Sequence, residues 1–503
     1  MGIFNTKKPR KILFIATEAG PFAKVGGLGD VMGSLPKALS ELGYDARVMI
    51  PRYLSIDDNL HDLKIEYKEF KVPTDNEEGP EYLVCNMKRC DTSLGRDKKV
   101  TTYFLENQEY YEQRANVYGY VDDPIRWALL CRGALEFIKQ SNSWVPDVIV
   151  ASDWQTGLIP NYLKTIYAND PVLSKITTVF SIHNLSYQTM HGHLFVSEMD
   201  FDDGHSEIPG FDSPRLAKLN WMRRGIMYAD SINTVSPNYA REIMTKEYGE
   251  LLDELLRERR AALTGILNGI DYEKWNPKND AYIKYHYDKN NLENRKKNKA
   301  DLQERFGLPV MSDVFLVSIV SRLSKQKGFD LLMPVIEFLI EELPVQLIVV
   351  GEGDSDIMSF FHDLETKNPN KVAAHLKFDS ILPHLAFAGA DTSIVPSKFE
   401  PCGLTQLESM RMGCIPIVRK TGGLADSVKD YDPEKQTGTG FVFDKFDHSS
   451  FMIAFVRAFE NFRDKVKWQK LQKRAMSEDF SWLASAKKYE NLFEQAIEVH
   501  NRL

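Results

Sequence analysis

The sequence predicts an α/β protein made of two doubly wound units with parallel sheets. Three observations carry that prediction. Uninterrupted Val/Ile-rich runs of strand length recur between helical patterns, and such runs read as strands buried on both faces. A polar stretch rich in Asn, Asp and Lys, residues 273 to 313, breaks the rhythm and divides the chain into comparable halves. Both halves open alike, with a strand, a loop that sets Lys beside Gly, and a helix.

The elements follow in order. "KILFIAT" is the first strand. The segment "MGIFNTKKPRKILFIATE" sets a basic patch before an apolar run, as a secretion leader does. Its run is short, however, and meets a glycine loop rather than a small-residue cleavage site, so it reads as a buried strand. "ARVMIP", "DVIVASD", "TTVFSIH" and "SINTVS" complete the first half. "VFLVSIVS", "VQLIVVG", "TSIVPS" and "CIPIVRK" make the second. Two such units face to face form a cleft lined by strand C-terminal ends, where open α/β sheets bind ligands. The tail "FSWLASAKKYENLFEQAIEVHNRL" predicts a helix that Ser481 can cap. Trp482, Ala486, Tyr489, Phe493 and Ile497 share one face of it, and that face needs a partner surface. The basic run "RKKNK", 295 to 299, reads as a solvated helix face.

Composition narrows the function. The 503 residues are 43% hydrophobic and 27% charged, with a net charge of −8. A general nucleic-acid binder would carry a basic excess. No apolar run reaches transmembrane length. Five cysteines with no C-x-x-C pair or zinc spacing point to a reducing cytoplasm.

Three clusters carry chemistry. The first is "FAKVGGLGDVMGSLPKAL", 22 to 39. A strand, glycines and a helix N-terminus make an anion site. It is no dinucleotide fingerprint, because Met32 stands where the third glycine belongs, and the P-loop pattern is absent. Glycines that serve packing alone and a loop for a diphosphate or sugar remain equal readings here. The second is "SRLSKQKG", 321 to 328. Arg322 and Lys327 end a buried strand, and a forked cation beside a point charge suits phosphate. The third is "KFEPCGLTQLESMRMGCIPIV", 398 to 418. Glu400 follows a strand, and Pro401 and Gly403 turn the chain into a helix whose first amides could hold a hydroxyl or phosphate. Glu408 lies within that helix. Solvated cations, a helix-terminal acid and a helix-face charge are the plainer readings of these residues.

Together the clusters resemble the bacterial and plant glycogen (starch) synthase family of retaining glycosyltransferases. The matching stretches are "KVGGLGDV", "SDWQTGLIPNYL", "SIHNLSYQ", "NTVSPNYAREI", "GILNGIDYEKWNP", "SRLSKQKGFDLL", "FEPCGLTQLE" and "RKTGGLADSV", in the family's order across nearly the whole chain. The resemblance implies two Rossmann-like domains around a deep cleft, the GT-B plan. It implies a first domain over 1–268, a second over 269–478, and a helix over 479–503 crossing back onto the first. The first domain takes the acceptor glucan and the second the nucleotide sugar. By the same resemblance Lys24, Gly26 and Gly27 approach the donor's diphosphate and glucose, while Arg322 and Lys327 neutralise the leaving diphosphate. Glu400 binds the donor glucose, beside the backbone of Cys402, Gly403 and Leu404. His183 lies by the anomeric carbon, Asp153 close to the reacting sugars, and Tyr118 on the acceptor side. Asp30, Asn184 and Thr405 complete the implied substrate contacts.

Three positions depart from the family's pattern. Ser152 stands where a histidine is usual. Phe378 replaces the tyrosine set against adenine, keeping a ring and losing a hydroxyl. Glu408 stands where many members carry Tyr, and in other retaining enzymes of this architecture the second acid binds ribose. The last two bear on the nucleotide, so they leave ADP-glucose and UDP-glucose to be separated by experiment. The reaction the resemblance implies passes glucosyl from ADP-glucose to the 4-hydroxyl at the non-reducing end of an α-1,4-glucan, with retention. No carboxylate is placed as a nucleophile, so the expected path is front-face displacement, with fixed cations and amides stabilising the leaving diphosphate. No cofactor, metal or membrane is expected. Asp354 and Asp356 read as loop acids rather than metal ligands, and His191 and His193 as a loop pair. The alternatives are a UDP-glucose enzyme with a smaller acceptor and a noncatalytic glucan-binding homologue. A nicotinamide oxidoreductase fails on the fingerprint.

Overall fold

The computed structural model describes residues 9–95, 98–188 and 202–502. The chain divides into two compact units. Met1–Val235, Ala240–Gly269 and Trp482–Leu503 form one; Ser236–Tyr239 and Ile270–Ser481 form the other.

Among the described residues the first unit holds nine strands: β1 (Lys11–Ile15), β2 (Asp45–Pro51), β3 (Lys64–Pro73), β4 (Tyr82–Gly95), β5 (Lys98–Glu106), β6 (Val148–Ser152), β7 (Thr177–Ile182), β8 (Ser231–Thr234) and β9 (Leu263–Gly265). Their order is β3-β4-β5-β2-β1-β6-β7-β8-β9. From β5 to β9 every pairing is parallel. At the other edge β3 pairs β4, and β4 pairs β5, antiparallel. The sheet is therefore mixed rather than wholly parallel. β6 and β7 are buried along their whole length, whereas β3 and β4 alternate between covered and solvated positions. An edge with one wet face tolerates the Lys and Glu of "KIEYKEFKVP".

The second unit holds β10 (Phe315–Val320), β11 (Val345–Val350), β12 (Val372–His375), β13 (Thr392–Val395), β14 (Ile415–Arg419) and β15 (Phe441–Phe443). They are ordered β12-β11-β10-β13-β14-β15, and all pairs are parallel. Phe315, Val317 and Ile319 of β10 enter one continuous apolar core with Leu332, Ile336 and Leu339 of the helix Phe329–Glu342. Helices on such a sheet leave its strand C-terminal ends open to ligand.

The tail helix runs from Trp482 to Arg502 and belongs to the first unit. It lies on the helix Gly27–Glu41 and on β7 and β8. Trp482, Ala486, Tyr489 and Phe493 are buried as the periodicity requires. Leu492 and Ala496 join them, while Ile497 is only half-buried. Burying Leu492 and Phe493 contributes roughly 1.5–3 kcal/mol each.

The basic run at 295–299 is not a solvated face. Arg295 and Lys299 are buried on the helix Glu293–Arg305. The Arg295 guanidinium donates to the carbonyls of Phe387, Ala390 and Met412. Lys299 Nζ lies 2.7 Å from Asp391 Oδ2 and donates to the carbonyls of Ser312 and Val314. Cations buried this way need such partners, and the run staples the helix to the ends of β10 and β13.

Candidate active site

Each unit presents predicted site residues where strands end. In the first unit β1 runs into Thr17 and Glu18, both buried. The Glu18 carboxylate accepts hydrogen bonds from the amides of Val25 and Gly26, the latter at 3.0 Å. That acceptor folds "KVGG" back over the strand end. Burial pushes the Glu18 carboxyl up from its ordinary value, against the pull of the two amides. Tyr118 braces the same corner: its hydroxyl is 2.6 Å from Thr17 Oγ1 and 3.4 Å from Glu18 Oε1. Lys24 extends from the loop to Asp30 Oδ1, 2.7 Å away, and both side chains are partly exposed.

The glycines of this loop divide by role. A Cβ on Gly29 would meet Lys24 Cγ at 3.0 Å and Glu18 Oε2 at 3.1 Å, and one on Gly33 would meet Gly20 O at 2.8 Å. Those two serve packing. A Cβ on Gly27 would meet no heavy atom within 4 Å. The protein's own packing does not require a glycine there, which is what close approach of a ligand would leave.

Asp153 follows β6 with φ +58°, a conformation non-glycine residues rarely adopt, and such strain gathers at functional sites. Its amide donates to Ser181 O at 2.8 Å. Its Oδ1 accepts from the amide of His183 at 2.7 Å and from that of Asn184 at 3.4 Å. Burial pushes the Asp153 carboxyl up to about 7, and burial pushes the His183 imidazole down to about 4. At neutral pH His183 is therefore uncharged and the Asp153 carboxyl is poised between its two forms. The Asn184 side chain turns aside to Ser186, accepting from its hydroxyl at 2.7 Å.

In the second unit the 3₁₀ turn Lys325–Lys327 follows β10, and Gly328 closes it at φ +79°. A Cβ on Gly328 would sit 2.1 Å from Pro396 O. Lys327 Nζ lies 2.6 Å from Glu400 Oε2, which also accepts from Ser397 Oγ at 2.9 Å. Arg322 stands exposed at the same strand end. Gly422 and Gly423 support the loop that carries Glu400: the Gly423 amide donates to Glu400 O at 3.1 Å. A Cβ on Gly422, at φ +43°, would fall 1.8 Å from that same oxygen. Cys402 is buried, Gly403 takes φ +70°, and Leu404 precedes the helix Thr405–Arg411, which places Thr405 first and Glu408 half-buried. Phe378 is 79% exposed, with its amide donating to Glu352 Oε2 at 3.1 Å.

Within each unit the structure gathers most of the predicted residues. Lys24, Asp30 and Tyr118 share the β1 corner, and Asp153, His183 and Asn184 the ends of β6 and β7. Lys327 and Glu400 touch. Sequence reasoning missed Glu18, Ser397 and Glu352. A carboxylate three residues past a buried strand, next to a glycine loop, was the available signal for Glu18. His191 and His193 lie outside the described residues. Asp354 and Asp356 flank the start of the helix Ser355–Lys367. Among the described residues no three His, Cys, Asp or Glu side chains come together as a metal site. None of the five cysteines is in a disulfide. No described helix is long and apolar enough to cross a membrane.

Comparison with known proteins adds a finding to this geometry. Residues 11–258 match the model of the starch synthase catalytic domain, and residues 301–474 that of glycosyl transferases group 1. Over 494 residues the chain is 42% identical to the glycogen synthase of Thermotoga maritima, covering 97% of this chain and 99% of that one. Over 488 residues it is 41% identical to the glycogen synthase of Clostridium perfringens, covering 97% and 98%. Among solved structures it is similar to the catalytic domain of starch synthase IV from Arabidopsis thaliana bound to ADP and acarbose. That match has a TM-score of 0.83 and 33% identity, over 97% of this chain and 100% of that one.

Proposed function

The chain belongs to the glycogen and starch synthase family of glycosyltransferases, and from that premise we propose that its donor is ADP-glucose. The acceptor is the 4-hydroxyl at the non-reducing end of an α-1,4-glucan, and configuration is retained. The observation that carries the reading is the Lys327–Glu400 pair with Ser397, at the strand ends of the second unit. A cation held beside a carboxylate supports the reading, since one suits a phosphate and the other sugar hydroxyls.

The chemistry follows from charge. Breaking the donor's glycosidic bond builds negative charge on the diphosphate and positive charge on the sugar. Arg322 and Lys327 stabilise the diphosphate with charges that need no reorganisation at the moment of reaction. By the family resemblance Lys24 and the amides around Gly26 and Gly27 are also donors to an anion. Glu400 holds glucose hydroxyls through Oε1, since among the described residues its bonds fall on Oε2. His183, uncharged at neutral pH, adds no positive charge beside a developing oxocarbenium ion. Asp153 fixes the His183 backbone through its amide. The leaving phosphate takes the acceptor's proton. Leu404, Thr405 and Glu408 border the nucleotide, with Glu408 bonding the ribose.

The adenine assignment rests on Phe378, an exposed ring with a face for a base, and on the family relative bound to ADP. Five cysteines with no disulfide among them suit the cytoplasm. A UDP-glucose donor is the competing reading, because a phenylalanine face stacks on any base. The test is donor competition: purified protein and glycogen, with labelled ADP-glucose and UDP-glucose side by side. Higher kcat/KM with UDP-glucose reverses the donor assignment. Transfer to maltose but not to glycogen reverses the acceptor.

A further inference from the structure

We propose that Ser181 and Asn233, anchored by Tyr489 of the tail helix, set the tautomer of His183 and make its Nδ1 the acceptor atom. The inference deepens the reading above, in which His183 borders the reacting sugar, and it rests on that reading for its catalytic meaning.

The chain of hydrogen bonds leaves one arrangement of protons. Asn233 is fully buried in β8. Its Nδ2 lies 3.0 Å from Thr234 O and 3.3 Å from Thr264 O. Carbonyl oxygens only accept, so that atom must be the amide nitrogen, and Oδ1 must face the other way. Two hydroxyls reach Oδ1: Ser181 Oγ at 2.8 Å and Tyr489 Oη at 3.2 Å. An amide oxygen has no proton to give. The single proton of Ser181 therefore points at Asn233, since two oxygens at 2.8 Å with no proton between them would repel. Ser181 Oγ is left with lone pairs only. His183 Nε2, 3.3 Å away, must then be the donor in that contact.

A neutral imidazole with its proton on Nε2 has its lone pair on Nδ1. Such a ring can accept a hydrogen bond from a sugar hydroxyl and cannot donate one through that atom. His183 is held in the uncharged form by burial, so the tautomer decides what the ring offers. Its backbone is fixed independently by Asp153 Oδ1. One carboxylate thus places the residue and one serine orients its protons. Ser181, Asn233 and Tyr489 are positioning residues, and the last ties the arrangement to the tail helix.

The test labels the full-length protein with ¹⁵N-histidine and reads the Nδ1 and Nε2 resonances, with His183→Gln identifying the signal. The wild type should show His183 protonated on Nε2. Ser181→Ala should give a mixture of tautomers and a kcat lowered about five- to fifty-fold, with KM for the donor changed less than about threefold. Ser181→Thr keeps the hydroxyl and should restore both. Asn233→Ala frees the serine proton for Nε2 and should move the ring proton to Nδ1. If that variant does not fold, Tyr489→Phe, which removes one of the two donors to Oδ1, should broaden the Nε2–H signal. A wild-type ring protonated on Nδ1, or an Nε2 proton unmoved in Ser181→Ala, overturns the inference. A shifted tautomer with unchanged kcat overturns its catalytic meaning. If wild-type protein transfers no glucose to any glucan, the functional reading fails while the tautomer result stands on its own.

Discussion

Replacing Glu400 with alanine should slow the reaction far more than it weakens nucleotide binding. Besides the bond it accepts from Ser397 Oγ, the carboxylate carries two interactions that bear on rate: the contact of Oε2 with Lys327 at 2.6 Å, which holds that ammonium in place, and, on the proposed reading, a hydrogen bond that a hydroxyl of the donor glucose gives to Oε1. A hydrogen bond to a charged group contributes about 1.5–3 kcal/mol. The two together come to about 3–6 kcal/mol, or on the order of 10²- to 10⁴-fold in kcat. The Lys327 side chain is 20% exposed, so the stranded ammonium can reach water and the fold should survive. Initial rates of labelled glucose transfer to glycogen give kcat and KM, and calorimetric titration with ADP gives nucleotide affinity. The double variant Glu400→Ala/Lys327→Ala should lose less than the sum of the single losses, because the two residues share one bond. A Glu400→Ala enzyme within about threefold of wild-type kcat would refute the reasoning, as would full additivity of the pair.

Three further outcomes follow from the geometry. Gly27→Ala should leave the melting temperature unchanged while raising KM for the donor about tenfold or more. Gly422→Ala, which sets a Cβ against Glu400 O at φ +43°, should lower stability by about 2 kcal/mol or more; equal melting temperatures for the two variants would contradict the division of roles. Phe378→Ala should not change thermal stability, since the ring is exposed, and should lower kcat/KM for ADP-glucose more than for UDP-glucose, because a purine loses more stacked area; the opposite order would count against adenine. The pH dependence of stability should separate Asp153 from His183. With its carboxyl raised to about 7, Asp153 contributes stability that is complete below about pH 4 and is lost as pH rises through 7. His183, lowered to about 4, contributes stability that is present above about 6.5 and is lost as pH falls toward 4. In the wild type the two oppose each other across one window. Asp153→Asn should therefore melt higher than wild type at pH 8, with the advantage shrinking toward pH 4.5; a constant difference would mean that Asp153 does not titrate in this range.

What could be read from the sequence depended on whether the signal was local. All nine quoted apolar runs are strands, because a strand buried on both faces is mostly apolar; β8, which buries Ser231, Asn233 and Thr234, stretches that rule furthest. β3 and β4 were missed because an edge strand with a wet face carries Lys and Glu like any loop. β9, β12 and β15 were missed because three or four residues carry no period, and β5 because Lys98, Lys99, Thr101 and Thr102 break its apolar run. Arg295 and Lys299 misled for the opposite reason. A buried cation looks like a solvated one until its carbonyl and carboxylate partners, most of them some ninety to a hundred and twenty residues away in sequence, come into view. The same holds within the site. Lys327 and Glu400 announce themselves by motif, but Ser397 beneath them does not. The bond that decides the protons of His183 lies between residues 181 and 233, which no short pattern joins.

The tail helix has a consequence for how the chain is made. Its buried face, Trp482 to Ala496, completes a unit whose first strand begins at Lys11, and the whole second unit is synthesised in between. A ribosome releases the N-terminal nine-stranded sheet long before the helix that covers Gly27–Glu41 exists. During that interval Tyr44 lacks the ring of Phe493 and the helix Gly27–Glu41 lacks the tail helix, and uncovered apolar surface invites chaperones or association with other nascent chains. The second unit, continuous apart from a four-residue contribution, can close while the first still waits. Maturation therefore runs against the order of translation: the part made first is the part finished last.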